Sequence, residues 1–326
     1  MLDSGSSLAS AQEVLSVRIA VVGVGGVGGY FGGRLAAAGE EVHLLARGAH
    51  LDAIRRHGLR VKSVGGDFDV RIPATDDTAE IGSVDHVLFC VKSYDTDSAA
   101  LALRPLLHEE TAVVSLQNGI DNEDLLADVI GKDHVVGGVA FIFSTIAEPG
   151  VIAQTGGPRR IVFGELDGSM SARVEGLEKS CHAAGIDAQT TRGIRQLLWD
   201  KLALICAHAG VTSTIRLPIG EIREVPEAMA MFRRISEEVR TVAAAEGVDI
   251  GDDATGRHEA FVRSLEPGVF SSLHEDLVHG RRMELDGLHG SVVRRARKHG
   301  ISVPACESVY GTLRPWAVRN EAISAG

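Results

Sequence analysis

Residues 17–33 read VRIAVVGVGGVGGYFGG, and this stretch carries more architectural information than any other part of the chain. Its β-forming residues lead into Gly23, Gly25 and Gly28, which have the G-x-G-x-x-G spacing of a dinucleotide-binding loop. The first glycine allows a tight turn, the second lets the backbone approach a pyrophosphate, and the third lets the next helix pack closely on the strand. Because a strand precedes the motif and an apolar helix follows it, we predict a Rossmann-type site. The predicted cofactor contacts in this loop are Gly23, Val24, Gly25, Gly26, Val27 and Gly28.

The second predicted strand, residues 42–45, ends near the position that distinguishes NAD from NADP sites. In NAD enzymes a carboxylate there binds the ribose 2′-hydroxyl. In this chain the acidic residues precede the strand and Arg47 follows it. A guanidinium makes charge-assisted bonds with a 2′-phosphate, so the sequence predicts NADP(H), with Arg55 and Arg56 in the same basic patch. The alternative is that Arg47 is a solvated loop residue.

The composition excludes several classes of protein. The chain has 326 residues and a net charge of −11, so it exceeds one typical domain and has no long basic block that would bind nucleic acid. No apolar stretch reaches membrane-spanning length without interruption, so we expect no membrane contact. Residues 1–16 contain an acid, no lysine or arginine and no sustained apolar core. We expect them to form a disordered leader and not a signal peptide.

The four cysteines are scattered and lack C-x-x-C spacing: Cys90, Cys181, Cys206 and Cys306. Disulfide frameworks and zinc sites need closely spaced or paired cysteines. We therefore expect reduced thiols in a cytoplasmic protein, without a disulfide framework and without a metal site.

The two parts of the chain differ in their predicted secondary structure. Up to residue 191, strands and helices alternate in the manner of a parallel sheet. Strands are predicted at 42–45, 86–91, 112–116, 135–143, 151–154 and 160–164, a hairpin at 59–63 with 68–71, and helices at 50–57 and 170–185. Beyond residue 191 helical periodicity dominates, with helices predicted at 194–209, 225–247, 252–265, 272–279, 284–299 and 304–316. The fold class is thus α/β, with a Rossmann-type dinucleotide-binding domain at 17–191 and an all-helical substrate and catalytic domain at 192–326.

Two polar residues directly follow predicted strands of the first domain. Lys92 follows the strand at 86–91, and Asn118 follows the strand at 112–116. Open α/β sheets bind ligands outside the carboxyl ends of their strands, so both residues are candidates for a ligand cleft. The alternatives are a surface lysine and an Asn-Gly turn that exists for conformational reasons.

Motifs along nearly the whole chain, from residue 18 to about 316, resemble the ketopantoate reductase (2-dehydropantoate 2-reductase) family. They occur in order and with compatible spacing. They are the glycine-rich loop, Arg47, VKS at 91–93, QNG at 117–119, LWDKL at 198–202, SSLHED at 271–276, ELD at 284–286 and RRARKHGISVP at 294–304. Such a combination is far more specific than any one motif.

The resemblance implies an NADPH-dependent reductase of a small 2-oxo acid, most directly the reduction of ketopantoate to pantoate in pantothenate biosynthesis. Lys201 matches the family's general acid, Glu284 its partner near the cofactor and substrate, and Ser272 a ligand of the substrate carboxylate. Asn118 and Lys92 match residues of the cleft. A lysine attracts the developing alkoxide and protonates it. Partial burial would lower its pKa, and Glu284 beside it would oppose that lowering.

Both principal residues have simpler alternatives. Lys201 is otherwise an exposed lysine on a helix. Glu284 is otherwise an acid that complements a helix dipole at its N-terminus.

The chain departs from the family pattern on the helix that carries the lysine. Family members present asparagines one and two turns later, where this chain has Ile205 and Ala209, and another near Ile219. By helical spacing one side of this helix presents Lys201, Ile205, His208, Ala209 and Thr212. The predicted substrate contacts are Lys201, Ser272, Asn118, Ile205, His208 and Ala209.

Three interpretations therefore stay open. The substrate is ketopantoate, with His208 and Thr212 replacing the lost amides, or it is a more apolar branched 2-oxo acid. The third interpretation is an inactive NADP(H)-sensing regulatory protein. The helical domain is also compatible with a homodimer.

Overall fold

The computed structural model of this chain describes residues 17–325. The predicted disordered leader, residues 1–16, lies outside the described residues. Ten strands form one sheet. They are β1 (Arg18–Val22), β2 (Glu41–Leu45), β3 (Leu59–Ser63), β4 (Phe68–Val70), β5 (Ala74–Thr75), β6 (His86–Phe89), β7 (Ala112–Ser115), β8 (Val135–Glu148), β9 (Val151–Glu165) and β10 (Asp187–Thr190).

The sheet is mixed. Its strand order is β4-β3-β9-β8-β7-β6-β1-β2-β5, with β10 beside β9. Strands β5, β2, β1, β6, β7 and β8 run parallel in the Rossmann manner, whereas β8 pairs with β9 and β3 with β4 in antiparallel fashion. The expectation of a parallel sheet therefore holds around the glycine-rich loop and for the pairs that β9 forms with β3 and β10, the predicted β3–β4 hairpin is present, and the expectation is wrong for β8 with β9.

A two-residue turn explains the antiparallel part. Only Pro149 and Gly150 separate β8 from β9, and a connection this short joins antiparallel neighbours, since a parallel crossover needs a dozen residues or more. The strands predicted at 151–154 and 160–164 are one strand with register irregularities opposite Phe143. The glycines at 156–157 between them mark that bulge and not a strand end.

The twelve α-helices are α1 (Gly26–Ala37), α2 (Gly48–His57), α3 (Thr96–Leu101), α4 (Asn122–Ile130), α5 (Ala172–Ala183), α6 (Ile194–Ile215), α7 (Ile219–Ile222), α8 (Pro226–Ala245), α9 (Ala254–Ser264), α10 (Ser272–Val278), α11 (Ser291–Lys298) and α12 (Pro304–Ala325), as far as residues 17–325 show. A π-helical turn, Asp286–Gly290, precedes α11. The prediction of a Rossmann-type region followed by an all-helical region is confirmed.

Helix α1 is enclosed by the sheet. A Cβ atom on Gly26 would lie 2.2 Å from the carbonyl oxygen of Ser144 in β8, and one on Gly29 would lie 2.7 Å from the side chain of Ile152 in β9. On another side, Gly33 would meet the side chain of Leu59 in β3 at 3.3 Å. The glycines of α1 therefore let strands pack closely on several sides of the helix. This packing role is separate from the role of the motif glycines in binding a nucleotide.

Helix α6 forms the centre of the helical core. The sequence predicts an end at residue 209, but the helix continues to Ile215, where Arg216 adopts a left-handed conformation with φ of 62°. Gly210, the first residue beyond the predicted end, is buried inside the helix, where a Cβ atom would lie 2.8 Å from the side chain of Ile235 in α8. This glycine permits close packing of α6 on α8.

Within residues 17–325, no helix is both long enough and apolar enough to cross a bilayer. The last strand ends at Thr190 and α6 begins at Ile194. The division into two domains near residue 191 remains our interpretation of this change in secondary structure.

Candidate active site

Each motif glycine of the glycine-rich loop occupies a different local geometry. Gly23 has φ of +94°, and a Cβ atom there would lie 2.7 Å from the amide nitrogen of Val91. A Cβ atom on Gly28 would lie 2.3 Å from the carbonyl oxygen of Gly23, so only glycine lets α1 approach β1 here. Gly25 is different, because a Cβ atom there would meet no protein atom within 4 Å. The space beside Gly25 is open.

The start of α1 fits an anionic group. The amide of Gly29 donates to the carbonyl oxygen of Gly25 at 2.8 Å and is the first intrahelical donor, so the amides of Gly26, Val27 and Gly28 precede it and have no intrahelical acceptor. Free N–H groups and the helix dipole at such an end favour phosphate. The open space beside Gly25 thus fits the pyrophosphate of a dinucleotide, with Val24 buried behind it.

Arg47 lies two residues after the end of β2 and immediately before α2. Its side chain is 84% exposed, and its Nη2 atom lies 2.7 Å from Oδ2 of Asp95. An exposed ion pair of this kind contributes little stability, so a 2′-phosphate can replace Asp95 as the partner. Arg55 instead donates to the carbonyl oxygen of Ala74.

Lys201 lies in the second turn of α6, partly buried against β8. Its ammonium donates to the carbonyl oxygen of Ala140 at 2.8 Å and lies 5.7 Å from the ring centre of Phe141. Burial lowers the pKa of Lys201 to about 8, against a smaller raising effect of the Glu284 charge. The group is therefore charged at neutral pH and loses its proton more readily than an ordinary lysine.

Glu284 has a different direct partner from the one expected. Its Oε2 atom lies 2.8 Å from Nζ of Lys92, and its Oε1 atom accepts the amide of Ser93 at 3.0 Å. It acts on Lys201 only through its charge, and the Ala140 carbonyl fixes the direction of that ammonium. No direct hydrogen bond joins Glu284 to Lys201 among the described residues, although the Glu284 charge does oppose the lowering of the Lys201 pKa, as expected. Glu284 also precedes the π-helical turn and does not lie in a helical first turn.

Asp276 is a member of this cluster that the sequence analysis missed. Its Oδ2 atom lies 3.4 Å from Nζ of Lys92, and its Oδ1 atom accepts from Nε of Arg281 at 2.9 Å. Burial alone would lower the pKa of Lys92, but Glu284 and Asp276 outweigh it and raise that pKa. The available signal was that Asp276 lies three residues after the buried Leu273, on the same face of α10.

The cleft-facing stripe of α6 is shorter than the helical spacing suggested. Its partly exposed members are Lys201, Leu204, Ile205 and His208. Ala209 is only 1% exposed and belongs to the helical core. Its predicted place in the substrate wall is thus not supported by its burial.

Thr212 does not replace the family's amides. It is fully buried, and its hydroxyl lies 2.7 Å from the carbonyl oxygen of His208 and 2.8 Å from Oγ of Ser271. Although Thr212 is in phase with Lys201 on the helix, the cap of α10 covers it. The proposed substitution by Thr212 is therefore wrong.

His208 is the remaining polar side chain of the stripe. Burial lowers its pKa to about 4, so the imidazole is neutral at neutral pH. Its Nε2 atom is buried and has no hydrogen-bond partner among residues 17–325. The ring therefore retains one unused polar atom beside Ile205.

Ser272 and Asn118 are the two remaining predicted substrate contacts. Ser272 is the exposed first residue of α10. Asn118 is partly buried, and its carbonyl oxygen accepts from the amide side chain of Asn122 at 3.0 Å. Neither side chain makes a hydrogen bond with Lys201 in the described part of the chain. The structure joins Lys92 and Glu284 directly, and among the described residues no hydrogen bond links Ser272 or Asn118 to either of them.

The four cysteines are unpaired thiols. Among residues 17–325 there is also no group of three or more histidine, cysteine or acidic side chains placed to hold a metal ion.

The comparison with known families assigns both halves of the chain. The sequence profile described as "Ketopantoate reductase PanE/ApbA" matches residues 19–168, and its C-terminal counterpart matches residues 193–317. The chain belongs to the ketopantoate reductase family. The resemblance identified from the sequence motifs is therefore confirmed.

Relatives within the ketopantoate reductase family cover nearly the whole chain. A 2-dehydropantoate 2-reductase of Halobacterium salinarum is 32% identical over 300 residues, 91% of this chain and 98% of that protein. The Bacillus subtilis protein YkpB, described as an uncharacterized oxidoreductase, is 30% identical over the same shares. The crystal structure of a ketopantoate reductase of the family from Ralstonia eutropha superposes with a TM-score of 0.86 at 36% identity, covering 93% of this chain and 99% of that one.

Proposed function

We propose that this chain is an NADPH-dependent oxidoreductase that reduces ketopantoate to pantoate, a step of pantothenate biosynthesis. The observation that carries the proposal is Lys201, a partly buried lysine with a pKa near 8, held beside the cluster of Lys92 and Glu284. Relatives named 2-dehydropantoate 2-reductase support the same activity. The binding partner is thus a small 2-oxo acid.

Different residues of the proposed site have different roles in the reaction. The glycine-rich loop would hold the pyrophosphate of a nicotinamide dinucleotide, and that cofactor, when bound, would supply a hydride to C2 of the 2-oxo acid. Lys201 stabilises the negative charge that develops on the carbonyl oxygen and donates its proton to that oxygen. We propose that Ser272 and Asn118 orient the substrate, with the carboxylate near the start of α10.

Arg47 provides a test of the cofactor. We expect Arg47→Ala to raise the KM for NADPH about tenfold or more, since a charge-assisted bond contributes about 1.5–3 kcal/mol. The KM for NADH should hardly change, because NADH lacks the 2′-phosphate. Both constants come from initial rates with 2-oxo acid at saturation. Arg55→Ala is the matched control, because the Arg55 guanidinium is already bound to a backbone carbonyl. Equal losses for NADPH and NADH in Arg47→Ala would contradict the assignment.

A second candidate substrate is an apolar branched 2-oxo acid. Ile205 stands where the family places an amide, and the Thr212 hydroxyl is engaged within the protein. A wall of this kind stabilises alkyl groups by about 0.8 kcal/mol per CH₂ but rejects an added hydroxyl only weakly. The site is thus expected to discriminate poorly between ketopantoate and its analogue without the 4-hydroxyl.

The test compares kcat/KM for these two acids, followed by NADPH oxidation. We expect both to be reduced, with values within about tenfold of each other. Ile205→Asn should improve ketopantoate alone by about tenfold, because one satisfied hydroxyl is worth about 1–3 kcal/mol. A hundredfold preference for ketopantoate in the unmodified chain, without gain in Ile205→Asn, would mean that His208 already binds the hydroxyl. NADPH binding without turnover of any 2-oxo acid would favour the NADP(H)-sensing interpretation.

We also propose a compartment and an assembly for this chain. The four unpaired thiols support a reducing compartment, which we propose is the cytoplasm. Exposed apolar side chains on α10 and α12, at Val278, Val318 and Ile323, support a homodimer. The molar mass in solution tests the dimer.

A further inference from the structure

Asp95 lies between two arginines that come from distant parts of the chain. Its Oδ2 atom lies 2.7 Å from Nη2 of Arg47, and its Oδ1 atom lies 3.7 Å from Nη1 of Arg282. The two guanidinium groups therefore approach different oxygens of one carboxylate. Because Arg47 is the residue proposed to bind the 2′-phosphate of NADPH, this carboxylate stands next to the proposed phosphate position.

Arg282 is held in place by two further contacts. Its Nη2 atom lies 3.0 Å from Oε1 of Glu321 in α12. Its guanidinium also lies over the ring of Tyr94, with the Cζ atom 4.1 Å from the ring centre, and arginine stacks favourably on such a face. The side chain of Asp95 is 22% exposed, whereas that of Arg47 is 84% exposed. Asp95 is thus the fixed member of the Arg47–Asp95 pair, and Arg47 is the movable one.

A carboxylate at this place opposes a bound 2′-phosphate. A phosphate that takes Nη2 of Arg47 breaks the ion pair with Asp95. A phosphate that binds another of the five N–H donors of the guanidinium shares the cation with Asp95. In both cases two anions lie within a few ångströms of each other, and like charges at that distance repel. NADH has a 2′-hydroxyl at this position, so it avoids the repulsion.

We propose that Asp95 is a specificity-determining residue for the cofactor, which lowers the preference for NADPH over NADH that Arg47 creates. The inference rests on the proposed use of a nicotinamide dinucleotide, with its 2′-phosphate at Arg47. Arg282 and Tyr94 keep the carboxylate beside that position. The chain therefore uses NADPH by preference but does not exclude NADH.

Two substitutions remove the charge in different ways. Asp95→Asn keeps the shape of the side chain and one acceptor oxygen for Arg47, but it is neutral. Asp95→Ser removes the contact with both arginines, and serine suits this position because Asp95 is the N-cap residue of α3. Asp97→Asn is the matched control, because Asp97 is an exposed acid in the first turn of α3 and makes no ion pair among residues 17–325.

The measurements are the dissociation constants of NADPH and NADH, obtained by fluorescence titration at low and at high salt. We expect both Asp95 variants to bind NADPH about fivefold more tightly and NADH within about twofold of the unmodified chain, since no ion pair has to be broken for the phosphate. In about 0.5 M NaCl the gain for NADPH should shrink to less than about twofold, because salt screens exposed charges. Asp97→Asn should change neither constant.

An unchanged ratio of the two dissociation constants in Asp95→Asn and Asp95→Ser would overturn the proposal. A gain for NADPH that persisted at high salt would overturn it as well, because the effect would then not be one of charge. Weaker binding of NADPH by both variants would show that Asp95 instead orients Arg47 for the phosphate. Failure of the unmodified chain to bind either nucleotide would overturn the proposed function itself, which is a distinct outcome.

Discussion

Lys201→Ala is expected to lower kcat for reduction of the 2-oxo acid by about 10²–10⁴-fold, the usual loss when a positioned general acid is removed. The ammonium is held by the Ala140 carbonyl at 2.8 Å, and its pKa is lowered to about 8 by burial. Both features suit proton donation at neutral pH. The NADPH dissociation constant should stay unchanged. Stopped-flow measurement of NADPH oxidation, with fluorescence titration of NADPH, gives both quantities.

The pH profile is a second readout of the same residue. Because the lysine must carry its proton to act as an acid, kcat/KM for reduction, which reports groups of the free enzyme, should be level below about pH 8 and fall above it, in line with the Lys201 pKa of about 8. Lys201→Arg is the matched control, since an arginine keeps the positive charge but does not release its proton. We expect it to retain substrate binding and lose the rate. Near-normal turnover in Lys201→Ala would show that another group, with His208 as the first candidate, supplies the proton.

Gly25→Ala is expected to lose NADPH affinity but keep its stability, whereas Gly28→Ala is expected to lose stability. At Gly25 an added methyl group meets no protein atom, so stability should be unchanged. NADPH affinity should fall about tenfold to a hundredfold, because the methyl group keeps the phosphates from charge-assisted bonds worth about 1.5–3 kcal/mol each. At Gly28 the methyl group would lie 2.3 Å from the carbonyl oxygen of Gly23. Such overpacking should lower the free energy of unfolding by about 1–3 kcal/mol.

Urea unfolding and NADPH titration of both variants measure these effects. Gly176→Ala is the control, because Gly176 lies within α5 and a Cβ atom there has no neighbour within 4 Å. It should stabilise the protein slightly, since alanine favours helix by about 0.8–1 kcal/mol over glycine. If Gly25→Ala bound NADPH normally, the pyrophosphate would not lie beside Gly25.

The local parts of the site were predictable from the sequence. The spacing of the three motif glycines predicts a different role for each, and the structure provides all three roles. Gly23 forms a tight turn, Gly25 leaves open space for a ligand, and Gly28 lets the helix pack closely on the strand. Lys92 follows a buried strand, and strand ends meet at one edge of a sheet. These features depend on neighbours within a few residues.

Features that depend on distant neighbours were not predictable. Glu284 was expected beside Lys201, but its partner Lys92 lies 192 positions earlier, and no local pattern indicates such a pair. Thr212 has the helical phase of Lys201, yet whether it is covered depends on Ser271 in another helix. Similarly, the periodicity of β8 and β9 identifies strands without showing that they bend over α1.

The enclosure of α1 has a consequence for how the chain assembles during synthesis. This twelve-residue helix contains five glycines, each costing about 0.8–1 kcal/mol of helical stability relative to alanine. Alone it would not hold its shape, so it becomes helical only when the strands around it are present. One of those strands ends at Glu165. A ribosome adding about 5–20 residues per second therefore makes the first part of the nucleotide site on the order of ten seconds before β8 and β9, the strands that pack on Gly26 and Gly29, are complete. A nascent chain that has just emerged past Gly33 is thus expected to be open to proteases and chaperones, and to lose that sensitivity once the β8–β9 hairpin follows.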